Sequence, residues 1–523
     1  MITQLSPLLL AAALSLTSAG SFARTAVAHT ETLACPCARL AKLAIPQATI
    51  TAAECIPAGQ FTPPGGAQPI TGLPAFCRVA AVLKPSPDSH IRIELWLPER
   101  GWNERFLGTG TGGGAGYINY GSLSMGLRKG FATANTDMGT SPDANRLAGR
   151  PEKWIDFGHR ATHEMTVAGK AITEAYYRRA ARMAYFSGCS TGGQQALMES
   201  QRYPRDYDGI LAGAPANNRT HLHTGFIWNL RATNDIPGSQ LPKPKIDLIT
   251  RAVVSACAGK DGGAPGDLFL TNPAACKFDP ATIPVCPDGT DDSTCLTMPQ
   301  LAALQKIYQG PTNPRTGERI YTPIPLGSEN VAAGIELQQN PDLSPKAFFY
   351  QYKWAFGDSF DYKTFDFDHD QAKLDSLLGN TLNAGDTDLA AFKNHGSKLL
   401  MYSGNADPLV PYQDALSYYE RVVGVQGGLP QTQDFFRFYL IPGMGHCAGG
   451  PGLNDGGDML GALIEWRENG VAPQKLIGTA YEQGNPAKAV KFRRPVFPYP
   501  LLPGYKGGNA AVPESFEAIP ATR

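Results

Sequence analysis

Two hydrophobic periods run along this chain. Residues 77–83 and 91–97 place apolar side chains at every second position, the pattern of strands with one buried face, and 85–89 supplies the turn between them. Residues 105–107, 132–136, 182–186, 210–213, 398–403 and 435–440 are short runs of apolar or small residues, which suits strands covered on both faces. A further strand is expected at 48–51, beside a short amphipathic helix, with the antiparallel pair 77–83/91–97 at the sheet edge. Residues 157–179 form a long amphipathic stretch, and 194–202 reads as a helix of strong formers. Strands alternating with helices predict an α/β fold built on a parallel sheet.

The alternation stops after 213. From 217 to about 391 the pattern is irregular and rich in aromatics, which predicts an inserted lid domain. The core then falls into two parts, 35–216 and 392–506, followed by a C-terminal tail at 507–523. Phe348, Phe349, Tyr350, Tyr352, Trp354, Phe356, Phe360 and Tyr362 crowd one stretch of the insertion. Most are expected to pack the lid, and some to wall an apolar pocket.

Residues 5–16 are apolar but too short to span a bilayer, and small-x-small sites end at Ala23 and Ala28. A cleaved signal peptide over 1–28, ending after about residue 23 or 28, is therefore expected, and with it a secreted or periplasmic protein. Ten cysteines agree with an oxidising compartment. Lys+Arg and Asp+Glu balance at 46 each, so charge points to neither nucleic acid nor an anionic membrane. Composition leaves the oligomeric state open.

The chemistry is concentrated at strand ends. Gly188-Cys189-Ser190-Thr191-Gly192 follows an apolar run and precedes a helix, the arrangement of a nucleophile elbow, where glycines make room for a tight turn around a serine. Gly108-Thr109-Gly110-Thr111-Gly112-Gly113-Gly114 follows the 105–107 strand. Its bare backbone suits an oxyanion hole made by the N–H groups of Thr191 and of Gly112 or Gly113, and it lacks the Gly-Lys-Ser/Thr ending of a phosphate loop. Asp407 lies just beyond the 398–403 strand, with Asp414 as the second candidate, and His446 follows the last strand. The order Ser190, Asp407, His446 is that of an α/β-hydrolase triad. His159 and His163, four apart on one helix, have metal-ligand spacing but no convincing third ligand nearby.

Cys189 immediately precedes the serine and Cys447 immediately follows the histidine. If Ser190 and His446 meet, the two cysteines come within disulfide range, so the covalent and the chemical pairing predict each other. Cys35 and Cys37 are too close to bridge to one another comfortably, and each is expected to reach Cys55 or Cys77.

Gly188-Cys189-Ser190-Thr191-Gly192-Gly193, Gln201-Arg202-Tyr203-Pro204, the run from Tyr207 to Ala216, Asp407-Pro408-Leu409 and Gly443-Met444-Gly445-His446-Cys447 together resemble the tannase and feruloyl esterase family. A hydrolase of mono(2-hydroxyethyl) terephthalate is similar to that family as well. The resemblance runs from Cys37 to about Lys506 and implies an α/β-hydrolase core with a lid. The implied activity is hydrolysis of aromatic carboxylic esters derived from plant cell wall or tannin, most of all feruloyl esters, with galloyl esters and terephthalate monoesters as the alternatives and without a cofactor for the chemistry. It makes Ser190 the nucleophile with Asp407 and His446 as partners. It also implies the pairs Cys189–Cys447, Cys257–Cys276, Cys286–Cys295 and Cys37–Cys77, leaving Cys35–Cys55.

The family lid carries a calcium loop. Here Ala258 replaces its first carboxylate and the spacing is lengthened before Asp267, which leaves Asp261 and Asp267 as the surviving ligands of a weakened structural calcium site. Two rival readings differ in chemistry. A non-catalytic binding module on this fold is expected to have lost a triad residue, and none is missing. A peptidase with the same triad is expected to cleave an amide as well as an ester.

Overall fold

The computed structural model describes residues 36–65 and 68–521, so the expected signal peptide and the Cys35–Cys55 pairing lie outside the described residues. Nine strands form one sheet: β1 (Ala48–Ile56), β2 (Phe76–Leu83), β3 (Ile91–Pro98), β4 (Arg105–Thr109), β5 (Ala132–Thr136), β6 (Met183–Cys189), β7 (Gly209–Gly213), β8 (Lys398–Gly404) and β9 (Phe436–Ile441). Their spatial order is β1-β2-β3-β5-β4-β6-β7-β8-β9. The first three run antiparallel to their neighbours, β3 pairs antiparallel with β5, and from β5 to β9 every pairing is parallel. This is the α/β-hydrolase arrangement. The 77–83/91–97 pair sits one strand in from the edge, because Ala48–Ile56 is longer than its alternation suggested and covers Phe76–Leu83.

The parallel strands are short because both faces are covered. All five residues of β5 and of β7 are buried, as are all six of β9. Helix α1 (Ala161–Tyr177) lies on one face, entered through a wider turn at Asp156–Arg160. Helix α2 (Thr191–Arg202) leaves β6 directly and buries ten consecutive residues, Thr191 to Ser200. On the opposite side α6 (Met459–Asn469) packs Leu463 and Trp466 against Tyr185, Leu211 and Leu400.

Between β7 and β8, residues 217–391 contribute no strand to the sheet among the described residues. They supply α3 (Arg219–Asn234), the helices Lys243–Cys257 and Met298–Gln309, and α4 (Tyr350–Phe356). Their own apolar cluster is aromatic, with Phe226, Phe349, Tyr350, Tyr352, Trp354 and Phe365 buried together and joined to Phe157 at the head of the wider turn. Beyond α5 (Tyr412–Val425) and β9, the chain ends in two small antiparallel pairs. Leu476–Tyr481 pairs with Val490–Val496, and Leu501–Tyr505 with Phe516–Pro520, so part of the expected tail is a paired strand.

Four of the expected disulfides are present: Cys37–Cys77, Cys189–Cys447, Cys257–Cys276 and Cys286–Cys295. No helix is long and apolar enough to cross a membrane among the described residues.

Candidate active site

Parallel strands leave the sheet in one direction, so the loops after β4, β6, β8 and β9 gather at one edge. Ser190 stands at the turn from β6 into α2 with φ 65° and ψ −122°, a conformation a side-chain-bearing residue adopts only when the surroundings enforce it. The enforcement is visible on both sides. A Cβ on Gly188 would lie 2.4 Å from the carbonyl oxygen of Gly192, and one on Gly110 would lie 2.5 Å from the Gly192 Cα. The glycine-rich loop and the elbow therefore touch backbone to backbone, and no larger residue fits between them. Ser190 N donates to Gly213 O at 3.0 Å, which ties the elbow to β7.

Asp407 is wholly buried on the loop after β8. Its Oδ1 accepts N–H groups of Leu409 at 2.9 Å and Val410 at 3.0 Å, and its Oδ2 lies 2.7 Å from Nδ1 of His446. The carboxylate is thus held by three donors, and the imidazole is oriented with Nε2 as the free ring nitrogen. Asp414, the second candidate, lies elsewhere: its Oδ1 is 3.4 Å from Asn218 Nδ2, and desolvation pushes its carboxyl up to about 6.

Ser190, His446, Gly112, Gly113 and Thr191 all line one cavity of about 630 Å³. Segment 217–391 supplies the facing wall with Leu222, His223, Phe226, Phe348 and Tyr350. Of the aromatic run, Phe348 and Tyr350 therefore reach the cavity, while Tyr352 and Trp354 pack behind it. The backbone N–H groups of Gly112 and Gly113 donate to nothing among the described residues, and such unpaired donors suit a developing oxyanion.

Three residues that carry no motif organise this corner. Thr111 N donates to Gln195 Oε1 at 2.9 Å, fastening the glycine-rich loop to α2. Asn135 on β5 donates to Thr109 O at 2.8 Å and accepts from Asn119 N at 2.7 Å, which holds the root of that loop. Arg219, at the start of α3, donates through Nη2 to Gly113 O at 3.0 Å and to Thr191 Oγ1 at 2.9 Å, while Thr191 Oγ1 itself donates to Gly113 O at 2.7 Å. The guanidinium lies 4.9 Å from the Phe157 ring centre and hydrogen-bonds the Tyr350 hydroxyl. It therefore couples the two sources of unpaired N–H groups to the aromatic wall.

Cys189 and Cys447 bridge the elbow to the histidine loop with Cα atoms 5.9 Å apart. The acid and histidine loops also touch directly, since Ala406 N donates to Met444 O at 3.0 Å, and a Cβ on Gly404 at the end of β8 would lie 2.2 Å from that same oxygen.

The helix histidines do not form a shared pair of ligands: His159 Nδ1 lies 2.8 Å from the Tyr203 hydroxyl, whereas the His163 ring stacks on Tyr203 and its Nδ1 lies 2.7 Å from Asp206 Oδ2, with Glu199 also close by, acids that the sequence did not place there. Burial holds His159 down to about 4, so it is neutral at working pH.

The residues at the expected calcium loop do not fit a calcium ion. Calcium takes six to eight oxygens, and carboxylates must be free to supply several of them. Asp261 instead receives the N–H groups of Gly263, Thr271 and Asn272 at 3.1, 2.6 and 2.9 Å. Asp267 receives Ala264 N at 2.9 Å and both terminal nitrogens of Arg494 at 2.7 and 2.6 Å.

Comparison with known proteins agrees with this geometry. The family pattern described as "Tannase and feruloyl esterase" matches residues 77–519. An uncharacterized esterase of Xanthomonas campestris pv. campestris is 36% identical over 547 residues, covering 95% of this chain and 93% of its own. A probable feruloyl esterase B-1 of Aspergillus flavus is 31% identical over 460 residues, covering 85% and 86%. The crystal structure of feruloyl esterase B from Aspergillus oryzae superposes with a TM-score of 0.84 at 27% identity, covering 92% of this chain and 99% of that one.

Proposed function

We propose that this chain, which belongs to the tannase and feruloyl esterase family and is a carboxylic ester hydrolase, cleaves esters of hydroxycinnamic or gallic-type acids through an acyl-enzyme on Ser190. Feruloyl esters are the foremost substrates. The observation that carries this reading is the convergence on one cavity of the strained Ser190, the Asp407–His446 pair at 2.7 Å and unpaired backbone N–H groups.

In the proposed reaction His446 Nε2 takes the Ser190 proton as Oγ attacks the ester carbonyl. Asp407, fixed by Leu409 and Val410, keeps the proton of the imidazole on Nδ1 and offsets the positive charge that forms. The N–H groups of Thr191 and of Gly112 or Gly113 receive the oxyanion. His446 then returns its proton to the departing alcohol, and water repeats the sequence on the acyl-enzyme to release the acid. Phe226, Phe348 and Tyr350 offer flat apolar surface to an aromatic group bound above Ser190. The disulfides support export to an oxidising compartment, secreted or periplasmic.

Product analysis on methyl ferulate, methyl gallate and mono(2-hydroxyethyl) terephthalate tests the substrate, with the amide of ferulic acid as control. The expected result is a kcat/KM for methyl ferulate above the other two and no cleavage of the amide. A preference for either competitor moves the chain to that acid, and turnover of none of the esters sinks the reading.

A further inference from the structure

The misfit at the calcium loop has a physical explanation in this chain. Residues 257–276 form a loop closed by the Cys257–Cys276 disulfide, whose Cα atoms are 5.4 Å apart. A buried carboxylate inside such a loop is costly without a positive partner. The Asp267 side chain is 8% exposed and the Arg494 side chain 3%, and the two meet as a planar, two-pronged pair. The guanidinium lies 5.2, 4.6 and 4.6 Å from the ring centres of Phe269, Phe492 and Phe516. Aromatic faces attract a desolvated cation, so the pocket is built for a positive group of guanidinium shape and not for a hydrated metal ion.

The same loop supports the active site from behind. Asn405, two residues before Asp407, donates to Thr271 O at 2.8 Å and accepts Gly443 N at 2.6 Å, three residues before His446. Phe269 presses on that glycine so closely that a Cβ there would lie 2.6 Å from the ring. On the outer side Tyr505 N donates to Gly262 O at 2.9 Å. The loop is thus clamped between the acid and histidine loops and the C-terminal strands.

We propose that the Arg494 guanidinium replaces the calcium ion in this chain: it is the built-in counter-charge that closes the 257–276 loop and, through Phe269 and Asn405, holds the acid and histidine loops in register. The proposal concerns the loop and is independent of which ester is cleaved. A divalent ion entering here would meet an Asp267 already paired with two guanidinium nitrogens and an Asp261 already holding three backbone N–H groups.

The first test is on the full chain with its native sequence. Thermal unfolding and metal content are measured after exhaustive treatment with EDTA, then again in millimolar calcium chloride. The expected result is no bound calcium after desalting and an unchanged midpoint in both conditions. A stoichiometric calcium, or a midpoint several degrees higher with calcium than with EDTA, would overturn the proposal. The second test is a cycle of Arg494→Met, Asp267→Asn and the double variant. Each single change is expected to lower the midpoint by about 5 °C, and the double change by little more than one of them. Additive losses would show that the two side chains act separately and would refute it. If Arg494→Met does not fold, Asp267→Asn and the calcium comparison decide the matter alone.

Discussion

Cys189 and Cys447 are joined by a disulfide although 258 positions separate them, and each is the immediate neighbour of a residue whose side chain reaches the same cavity, Ser190 and His446. The bond fixes covalently how far apart the two backbone segments that carry Ser190 and His446 can lie. Loop-closure entropy sets its contribution to stability at about 5 kcal/mol as an upper figure. Its larger effect is expected on geometry. The double variant Cys189→Ala/Cys447→Ala is expected to stay folded at low temperature and to lose about 10- to 100-fold in kcat/KM, measured with methyl ferulate. Full activity in that variant would show that noncovalent contacts suffice.

Ser190→Ala is expected to retain the circular dichroism spectrum of the parent and to lose about four decades of kcat. The serine makes no side-chain hydrogen bond that the fold depends on among the described residues, so the loss is chemical. Ordinary turnover by this variant would rule out the acyl-enzyme.

Arg219 touches both Gly113 and Thr191, so if their N–H groups receive the oxyanion as proposed, its removal is expected to loosen those donors before it loosens substrate binding. Arg219→Gln is expected to lower kcat about 10- to 100-fold and to leave KM within about threefold. Steady-state kinetics on methyl ferulate distinguish this from a packing defect, which would raise KM and lower the melting point together.

Asp414 gives a pH test. Desolvation pushes its carboxyl up to about 6, above the value of an exposed aspartate near 3.8. An acid raised on folding binds its proton more tightly in the native state, so it weakens stability as the pH rises from the unfolded value, and the full cost stands above the folded value. Asp414→Asn is therefore expected to be more stable than the parent at neutral pH, by about 2 kcal/mol or less, and no more stable at acidic pH below the ordinary aspartate range. Denaturant unfolding at the two pH values checks it, and a neutral-pH loss would contradict the assignment.

The sheet was readable from the chain because buried parallel strands are apolar on both faces, and runs such as 182–186 and 435–440 stand out as blocks. Ser190, Asp407 and His446 were readable because each sits at the end of such a block. The elbow helix starts at Thr191 and not at 194 because Gly192 and Gly193, poor helix formers in isolation, are required by the backbone contacts with Gly110 and Gly213. Arg219 and Gln195 left no trace, since a lone polar residue in a helix looks the same whether it faces solvent or a carbonyl oxygen. Arg494 was equally silent: 227 positions separate it from Asp267, and in the strand Val490–Val496 it reads as one more basic surface residue. The aromatic run announced packing, but only the fold separates Phe348 and Tyr350 at the cavity from Tyr352 and Trp354 behind it.

Phe516 is one of the rings around Arg494, and it opens the strand Phe516–Pro520 that pairs with Leu501–Tyr505. On the proposal above, the bracing of the histidine loop therefore extends through Arg494 to this hairpin, far from the cavity in sequence. A variant lacking the Leu501–Tyr505/Phe516–Pro520 hairpin would keep Ser190, Asp407 and His446 and lose one of the three rings that enclose the Arg494 guanidinium.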